Sequence, residues 1–184
     1  MAGVTTLTSA LLITFLLLWA VGAYNRLVRL RAAALQAFGG MDAFVQQYLA
    51  QLEDPHALPP APLAASHDYQ ALQAATVQLH ASLQVLRARP LERDAASAVA
   101  AGLQALDAAW AAWSARIAQL DDAQWQNLEH EVRPWLQRCM QQQALASMSR
   151  QQFNQAVAQY NQSITQFPAS VLAWLFGMKR GQAL

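Results

Sequence analysis

The sequence predicts an all-α protein in which an N-terminal transmembrane helix is followed by a long antiparallel four-helix bundle. The chain is 55% hydrophobic but only 12% charged, and helix-favouring Ala and Gln are abundant in place of charged residues. A segment without charged side chains extends from Met1 to Asn25. Beyond it, apolar residues recur at spacings of three and four, the pattern of long helices packed side by side as in coiled coils.

Residues 1–24 are predicted to form a membrane anchor. The apolar run from Leu7 to Ala23 is about as long as the hydrocarbon core of a bilayer requires of a helix. Trp19 and Tyr24 lie towards its end, where amphipathic rings favour the membrane interface. Basic residues follow at once, which predicts a single span with the N-terminus outside and the rest of the chain in the cytoplasm. These residues are Arg26, Arg29 and Arg31.

A cleaved signal peptide is the competing interpretation of this segment. Val21-Gly22-Ala23 would serve as a cleavage site. The apolar run is longer than a usual signal-peptide core, however, and no positively charged segment precedes it. We therefore expect a retained anchor.

Residues 25–168 are predicted to form the helical bundle, with a loop over 54–66, followed by an apolar C-terminal tail over 169–184. Four prolines between Asp54 and Ser66 indicate the loop. Ser66 or Asp68, and Asp121 or Asp122, are candidate helix caps. The predicted helices cover about 4–52 including the anchor, 67–89, 91–118 and 122–166.

Pro134 and Gly39-Gly40 are unusual residues to find inside predicted helices. Pro134 is expected to kink the last long helix, because proline loses a backbone hydrogen bond and its ring clashes with the preceding turn. Gly39-Gly40 is interpreted as a close-packing point or local bend, with a hinge as the alternative.

The composition excludes several classes of function. A net charge of +1 gives no global field to attract nucleic acid. The single cysteine, Cys139, excludes an intrachain disulfide and a cysteine-based metal cluster, and its helical position predicts a buried packing residue. No Glu-x-x-His motif, phosphate-binding glycine loop or nucleophile elbow occurs. We expect no catalytic residue, cofactor or metal ligand.

The tryptophans divide into two groups. Trp110, Trp113, Trp125 and Trp135 fall on the apolar stripes and are predicted to pack in the core. Trp174 lies in the apolar tail, which is followed by basic residues, so the tail either docks on the bundle or lies in a membrane surface. The predicted tail contacts are Trp174, Leu175 and Phe176.

Following the helices up and down from the membrane predicts a charge polarity. Acidic residues such as Glu53 and Asp121 gather at the far end. Basic residues gather at the membrane end, where they would be attracted to an anionic cytoplasmic leaflet, unless they are ordinary solvated turn residues. The predicted membrane-proximal basic set is Arg26, Arg29, Arg31, Arg87, Arg89, Arg93, Lys179 and Arg180.

Three blocks of sequence resemble the LemA family of bacterial membrane proteins. The first is the anchor running into Tyr24–Arg31. The second comprises 152–157, Tyr160-Asn161 and 167–169, with the sequences Gln-Phe-Asn-Gln-Ala-Val and Phe-Pro-Ala. The third is Leu172–Lys179, similar to the family's closing Leu-Phe-Gly-Phe-Lys pattern. The middle of the chain departs from the family pattern, because Tyr48–Leu52 stands near the position of the family's Asp-Leu-Ile-Pro-Asn-Leu stretch. By this resemblance the chain is identified as a divergent member.

The resemblance implies a four-helix antiparallel bundle behind one anchor of the bacterial inner membrane, with no enzymatic activity established for the family. The resulting hypothesis is a scaffold that binds an unidentified protein partner, or its own copies as a homo-oligomer, at the bilayer. A secreted or periplasmic ligand-binding bundle is the alternative. An enzyme with a dispersed site is a third hypothesis.

Overall fold

A computed structural model describes residues 2–54, 59 and 61–184, without the side chains of residues 2–9, 61, 62, 122, 127 and 131. Within these residues the chain is helical and contains no β-strand. Part of the predicted loop, residues 55–58 and 60, lies outside the described residues. The helices are α1 (Ala2–Glu53), α2 (Ala61–Ala64), α3 (His67–Ala88), α4 (Arg93–Ala118), α5 (Asp122–Thr165) and α6 (Ala169–Leu175).

The four long predicted helices are confirmed, and no bound differs by more than two residues from its prediction. Ser66 caps α3 by accepting a hydrogen bond from the Tyr69 N–H. Asp121 and Gln124 form a capping box at the start of α5. The short helix α2 was not predicted, because its four residues follow a proline-rich stretch that indicates a loop.

The anchor and the first helix of the body are one continuous helix. α1 extends without a break from Ala2 to Glu53, so residues 2–24 directly extend the part of the helix that packs. We call residues 25–54 and 61–168 the helical body. Its proximal end lies at Tyr24 and its distal end at Leu52.

α1 and α5 pack along each other in opposite directions. Trp19 contacts Phe167, and Phe38 contacts Phe153 further along α1. α3 and α4 also run oppositely, because Tyr69 meets Trp113 whereas Leu79 lies beside Gly102. The helices therefore pack as two pairs.

Aromatic side chains connect the two pairs near the distal end. Their ring centroids are 5.1 to 6.4 Å apart, a spacing at which offset and edge-on rings attract. All five are buried, which confirms the predicted core role of three of the four tryptophans; Trp125 is only half-buried. We call this the distal aromatic cluster: Tyr48, Tyr69, Trp110, Trp113 and Trp135.

Cys139 is buried, as predicted. Burial raises the pKa of its thiol to about 12. The thiolate is therefore scarce at neutral pH, and Cys139 acts as a small apolar packing group.

The packing around the helical glycines differs from the prediction. A Cβ added at Gly39 or Gly40 would meet nothing within 4 Å, so the predicted close-packing point is wrong at these positions. Close approach occurs instead at Gly102, where an added Cβ would lie 3.2 Å from Leu79 Cδ1. α5 is helical through Pro134, whose side chain is exposed.

Candidate membrane-facing site

The apolar part of α1 faces outwards. Within the described residues, one helix is long and apolar enough to cross a membrane by length and composition, and it is α1. From Leu11 to Leu18 its large apolar side chains are 52–68% exposed, whereas the core helix of a soluble protein buries such residues. This exposure is compatible with a bilayer around residues 10–24.

The C-terminal helix α6 lies against α1 at the end of this apolar segment. The Trp19 and Phe167 ring centroids are 5.3 Å apart, and those of Tyr24 and Phe176 are 4.8 Å apart. These contacts flank α6 on both sides, and each includes a Trp or Tyr of α1, the residue types that are enriched at membrane interfaces.

α6 has one small buried face and one large exposed face. Ala169 and Ala173 are buried in a cluster with Leu27, Tyr160 and Ile164. The small side chains let α6 approach the α1–α5 pair closely. The opposite face carries large apolar side chains that leave much of their surface exposed: Val171, Trp174, Leu175 and Phe176.

The two faces of α6 relate to the two alternatives for the tail, docking on the helical body or lying in a membrane surface. The alanine face docks on the helical body, while Trp174 remains 82% exposed. Exposed clusters of large apolar residues in soluble proteins mark interaction sites. The predicted tail contacts Trp174, Leu175 and Phe176 thus form one apolar surface, which we call the α6 surface.

A glycine turn ends α6 and redirects the chain. Gly177 has a φ of 62°, in the left-handed region that glycine adopts without steric cost. The Met178 N–H donates to the Ala173 carbonyl, and the Gly177 N–H donates to the Trp174 carbonyl, which is the Schellman arrangement. Residues 179–184 can then run back along α5.

Side-chain amides of α5 hold these last residues. Asn161 and Gly181 exchange two hydrogen bonds, of 2.8 and 2.9 Å. Asn154 and Leu184 exchange another two, of 2.6 and 2.8 Å. The Tyr160 hydroxyl donates to the Lys179 carbonyl. We call residues 179–184 the C-terminal strap.

Sequence reasoning placed Asn154, Tyr160 and Asn161 in a resembling block but assigned them no role. Asn154 and Asn161 are seven residues apart and so share one face of α5. A polar pair at that spacing, on a helix whose neighbouring Phe153 and Tyr160 are buried, was a signal for a bound backbone segment.

A cleft of about 700 Å³ opens between α1, the α3–α4 turn and the strap. Arg31, Arg89 and Lys179 line it together with the carboxylate of Glu92. Tyr24 and Phe176 form its apolar end. Burial raises the pKa of the Tyr160 hydroxyl at its wall, and nearby Arg31 opposes this shift. We call this the proximal cleft.

The eight predicted basic residues do not form one group. Arg31, Arg89 and Lys179 meet in the proximal cleft, and Arg26 lines a neighbouring cleft of about 440 Å³. The other four lie outside these two clefts, and all eight are exposed. The four are Arg29, Arg87, Arg93 and Arg180.

Arg87 lies away from the proximal end. Its guanidinium binds both carboxylate oxygens of Asp42, at 2.8 and 3.0 Å. Asp42 is 18 residues beyond Tyr24 on α1, a rise of about 27 Å along the helix. Arg87 is therefore paired within the chain, at a level of α1 well beyond Tyr24, and its predicted membrane contact stays a prediction.

A second polar feature lies near the distal aromatic cluster. A cleft of about 340 Å³ is lined by Tyr48, Asp107, Gln143 and Arg150. Asp107 and Arg150 form an ion pair of 3.6 Å, and burial raises the pKa of Tyr48 well above its usual value. Within the described part of the chain the Tyr48 hydroxyl has no hydrogen-bond partner. Sequence reasoning missed this cleft, because its residues come from three helices.

The described residues contain no group of three or more His, Cys, Asp or Glu side chains that could hold a metal ion. The acidic residues near the clefts are partnered by arginines, as Glu92 is by Arg89.

Comparison with known proteins gives one match. The model of the LemA family matches residues 136–184, about a quarter of the chain, covering the C-terminal part of α5, α6 and the strap. No curated protein and no solved structure matches. The matched residues contain the second and third resembling blocks, and the first block, Tyr24–Arg31, lies outside them. The resemblance to the LemA family is thereby confirmed for the C-terminal quarter of the chain, which is similar to that family.

Proposed function

We propose that this chain is a non-enzymatic scaffold, tethered to the bacterial inner membrane by a single N-terminal span. Its body is an antiparallel four-helix bundle on the cytoplasmic side, which binds a protein partner or other copies of itself. The observation that carries the proposal is the coincidence of two exposed apolar surfaces. The exposed apolar segment of α1 at residues 11–18 and the α6 surface lie near each other, with Tyr24 of α1 in ring contact with Phe176.

The orientation follows from the charges beside these surfaces. Arg26, Arg29 and Arg31 come directly after the apolar segment. Basic residues within 15–20 positions of a span are retained on the cytoplasmic side. The helical body and the strap would then both lie in the cytoplasm.

A scaffold role is supported by how the interior is filled. Aromatic rings occupy the junction of the helix pairs, and the buried Cys139 thiol, with its raised pKa, is a poor nucleophile. The Asp107 carboxylate is held by Arg150 and Gln143, a structural pairing. These features favour packing and surface contact over chemistry.

Reporter fusions test the membrane orientation. A C-terminal alkaline phosphatase fusion should be inactive and a C-terminal fluorescent protein fusion bright. Replacing Arg26, Arg29 and Arg31 by Gln should weaken this orientation, while the same change at distal Arg116 and Arg138 should not. An active phosphatase fusion on the unaltered chain would contradict the proposal.

A periplasmic ligand-binding bundle is the second candidate, favoured by the possible cleavage site at Val21-Gly22-Ala23 and by the unpartnered Tyr48 hydroxyl in the distal cleft. Cleavage after Ala23 would remove Trp19 and its contact with Phe167. Determining the N-terminal residue of the chain purified from cells separates the two candidates, because processing would give a mature chain beginning at Tyr24.

Self-association is part of the proposal. α4 exposes Ala108, Ala111 and Ala112 on one face, and small residues allow helices of two copies to approach closely. Cross-linking in membranes at native expression should give a dimer or larger species. Recovery of monomer alone would count against this part of the proposal and leave the tether untouched.

A further inference from the structure

The proximal cleft combines unpaired positive charge with an apolar opening. In the described part of the chain, neither Arg31 nor Lys179 takes part in an ion pair. Arg89 is paired with Glu92 at 3.2 Å. The Glu92 carboxylate therefore opposes Arg89, and the net positive charge of the cleft comes from Arg31 and Lys179.

The positions of Arg31 and Lys179 are set by the backbone. Arg31 is seven residues beyond Tyr24 on α1, a rise of about 10 Å. Lys179 is held because its carbonyl accepts a hydrogen bond of 3.0 Å from the Tyr160 hydroxyl. Both side chains are exposed, so their charged groups are free to close on an anion.

With the proposed tether, the apolar end of the cleft lies on the bilayer side. Tyr24 and Phe176 are in ring contact there, and the α6 surface continues from Phe176 to Leu175 and Trp174. A ligand in this cleft would thus meet cations at one end and exposed aromatic and aliphatic groups at the other.

Resting on the proposed membrane tether, we propose that the proximal cleft binds one anionic phospholipid, with its phosphate between Arg31 and Lys179 and its acyl chains along Phe176 and the α6 surface. Guanidinium and ammonium groups form charge-assisted hydrogen bonds to phosphate oxygens. The apolar side chains are the reason to prefer a lipid to a soluble phosphate, since a soluble phosphate would leave them in water. The lipid would join the anchor, α6 and the strap into one membrane-bound unit.

The test uses the full chain purified in a nonionic detergent. Phosphatidylglycerol carrying a photoreactive acyl chain is cross-linked to the protein over a range of lipid concentrations, with phosphatidylcholine as the zwitterionic counterpart. The variant is R31Q/K179Q, and the matched control is R116Q/R138Q, which removes the same charge from exposed arginines outside the cleft. R89Q is the second variant. Far-UV circular dichroism checks that each variant is folded.

The expected result is saturable cross-linking of phosphatidylglycerol to the wild-type chain, mapped by peptide analysis to residues 172–180. The half-saturating concentration should rise about thirtyfold in R31Q/K179Q, because each basic residue near an anionic surface contributes about fivefold in affinity. It should remain unchanged in R116Q/R138Q. R89Q should have a smaller effect, since Arg89 already pairs with Glu92.

Three results would overturn the proposal. Equal labelling by phosphatidylcholine would mean that the cleft has only an apolar preference. Competition by glycerol 3-phosphate at the concentration that half-saturates phosphatidylglycerol would identify a soluble phosphate as the ligand. Equal losses in both double variants would indicate a general effect of charge. None of these bears on the reporter-fusion test of orientation, so failure of the lipid site and failure of the tether are distinguishable.

Discussion

At the distal end of the helical body Trp113 is fully buried among four other rings, whereas at the proximal end Trp174 is 82% exposed. Both residues lie in apolar stretches of sequence. The difference is in what faces them: Trp113 meets the rings of three helices, while α6 contacts the body through Ala169 and Ala173 and turns Trp174 away. Apolar side chains thus hold the helices together at one end and form an outer surface at the other.

Replacing Trp113 by Ala tests the distal half of this comparison and should have the largest effect. Loss of a buried tryptophan removes its packing and leaves a cavity, at a cost of about 3–5 kcal/mol. Denaturation of the full chain in detergent, followed by circular dichroism, measures the free energy of unfolding. Trp174→Ala is the matched change, and it should leave this free energy nearly unaltered. Similar losses at both sites would mean that α6 belongs to the core.

Glycine substitutions test close packing on a smaller scale. Gly102→Ala should be about 1 kcal/mol less favourable than the same change in open space, because the new methyl group would lie 3.2 Å from Leu79 Cδ1 and force that side chain to shift. Gly39→Ala should instead stabilise it by about 0.4–1 kcal/mol, since the added methyl group meets open space and restricts the unfolded chain. The same denaturation measurement applies. Destabilisation by Gly39→Ala would restore the close-packing interpretation of that position.

The strap gives the next test, at the proximal end. Asn161→Ala removes both hydrogen bonds to Gly181 and should cost about 1–2 kcal/mol. It should also increase hydrogen exchange at residues 179–184 while leaving the distal aromatic cluster protected. The control is Gln162→Ala, a change at the adjacent position of α5. An unchanged exchange rate in the strap would show that these amides do not hold it.

The smallest expected effect concerns Arg87. A double-mutant cycle with Asp42→Asn and Arg87→Gln should give a coupling of about 0.5 kcal/mol, because the pair is partly exposed to solvent. The fold of the variants is checked by circular dichroism. A coupling near zero would return Arg87 to the set of free basic residues.

The sequence predicted the helices and the core well, because both depend on local periodicity. The apolar residues that recur at spacings of three and four on α4 are all buried: Val99, Leu103, Leu106, Trp110, Trp113 and Ile117. Ser66 and Asp121 cap the helices that follow them, since capping is decided within a few residues.

The position of Arg87 could not be predicted in the same way. The expected polarity assumed that each helix spans the whole body, but α3 has 22 residues and its Arg87 lies beside Asp42. The strap, which Gly177 redirects, lies beside the α3–α4 turn, where Gly181 approaches Leu91. A chain reversal of this kind depends on tertiary contacts that periodicity does not report.

The most direct test of the account is the environment of the α6 surface in a bilayer. The full chain with Trp174→Cys carries a nitroxide label in phosphatidylglycerol-containing nanodiscs, and Cys139 stays unlabelled because it is buried. Val77→Cys, on the exposed face of α3 midway along the helix, is the control. At position 174 the label should be readily relaxed by oxygen and shielded from a water-soluble nickel chelate. At position 77 the label should be readily relaxed by the chelate and less by oxygen. Equal access of the chelate to both positions would contradict a membrane-facing α6.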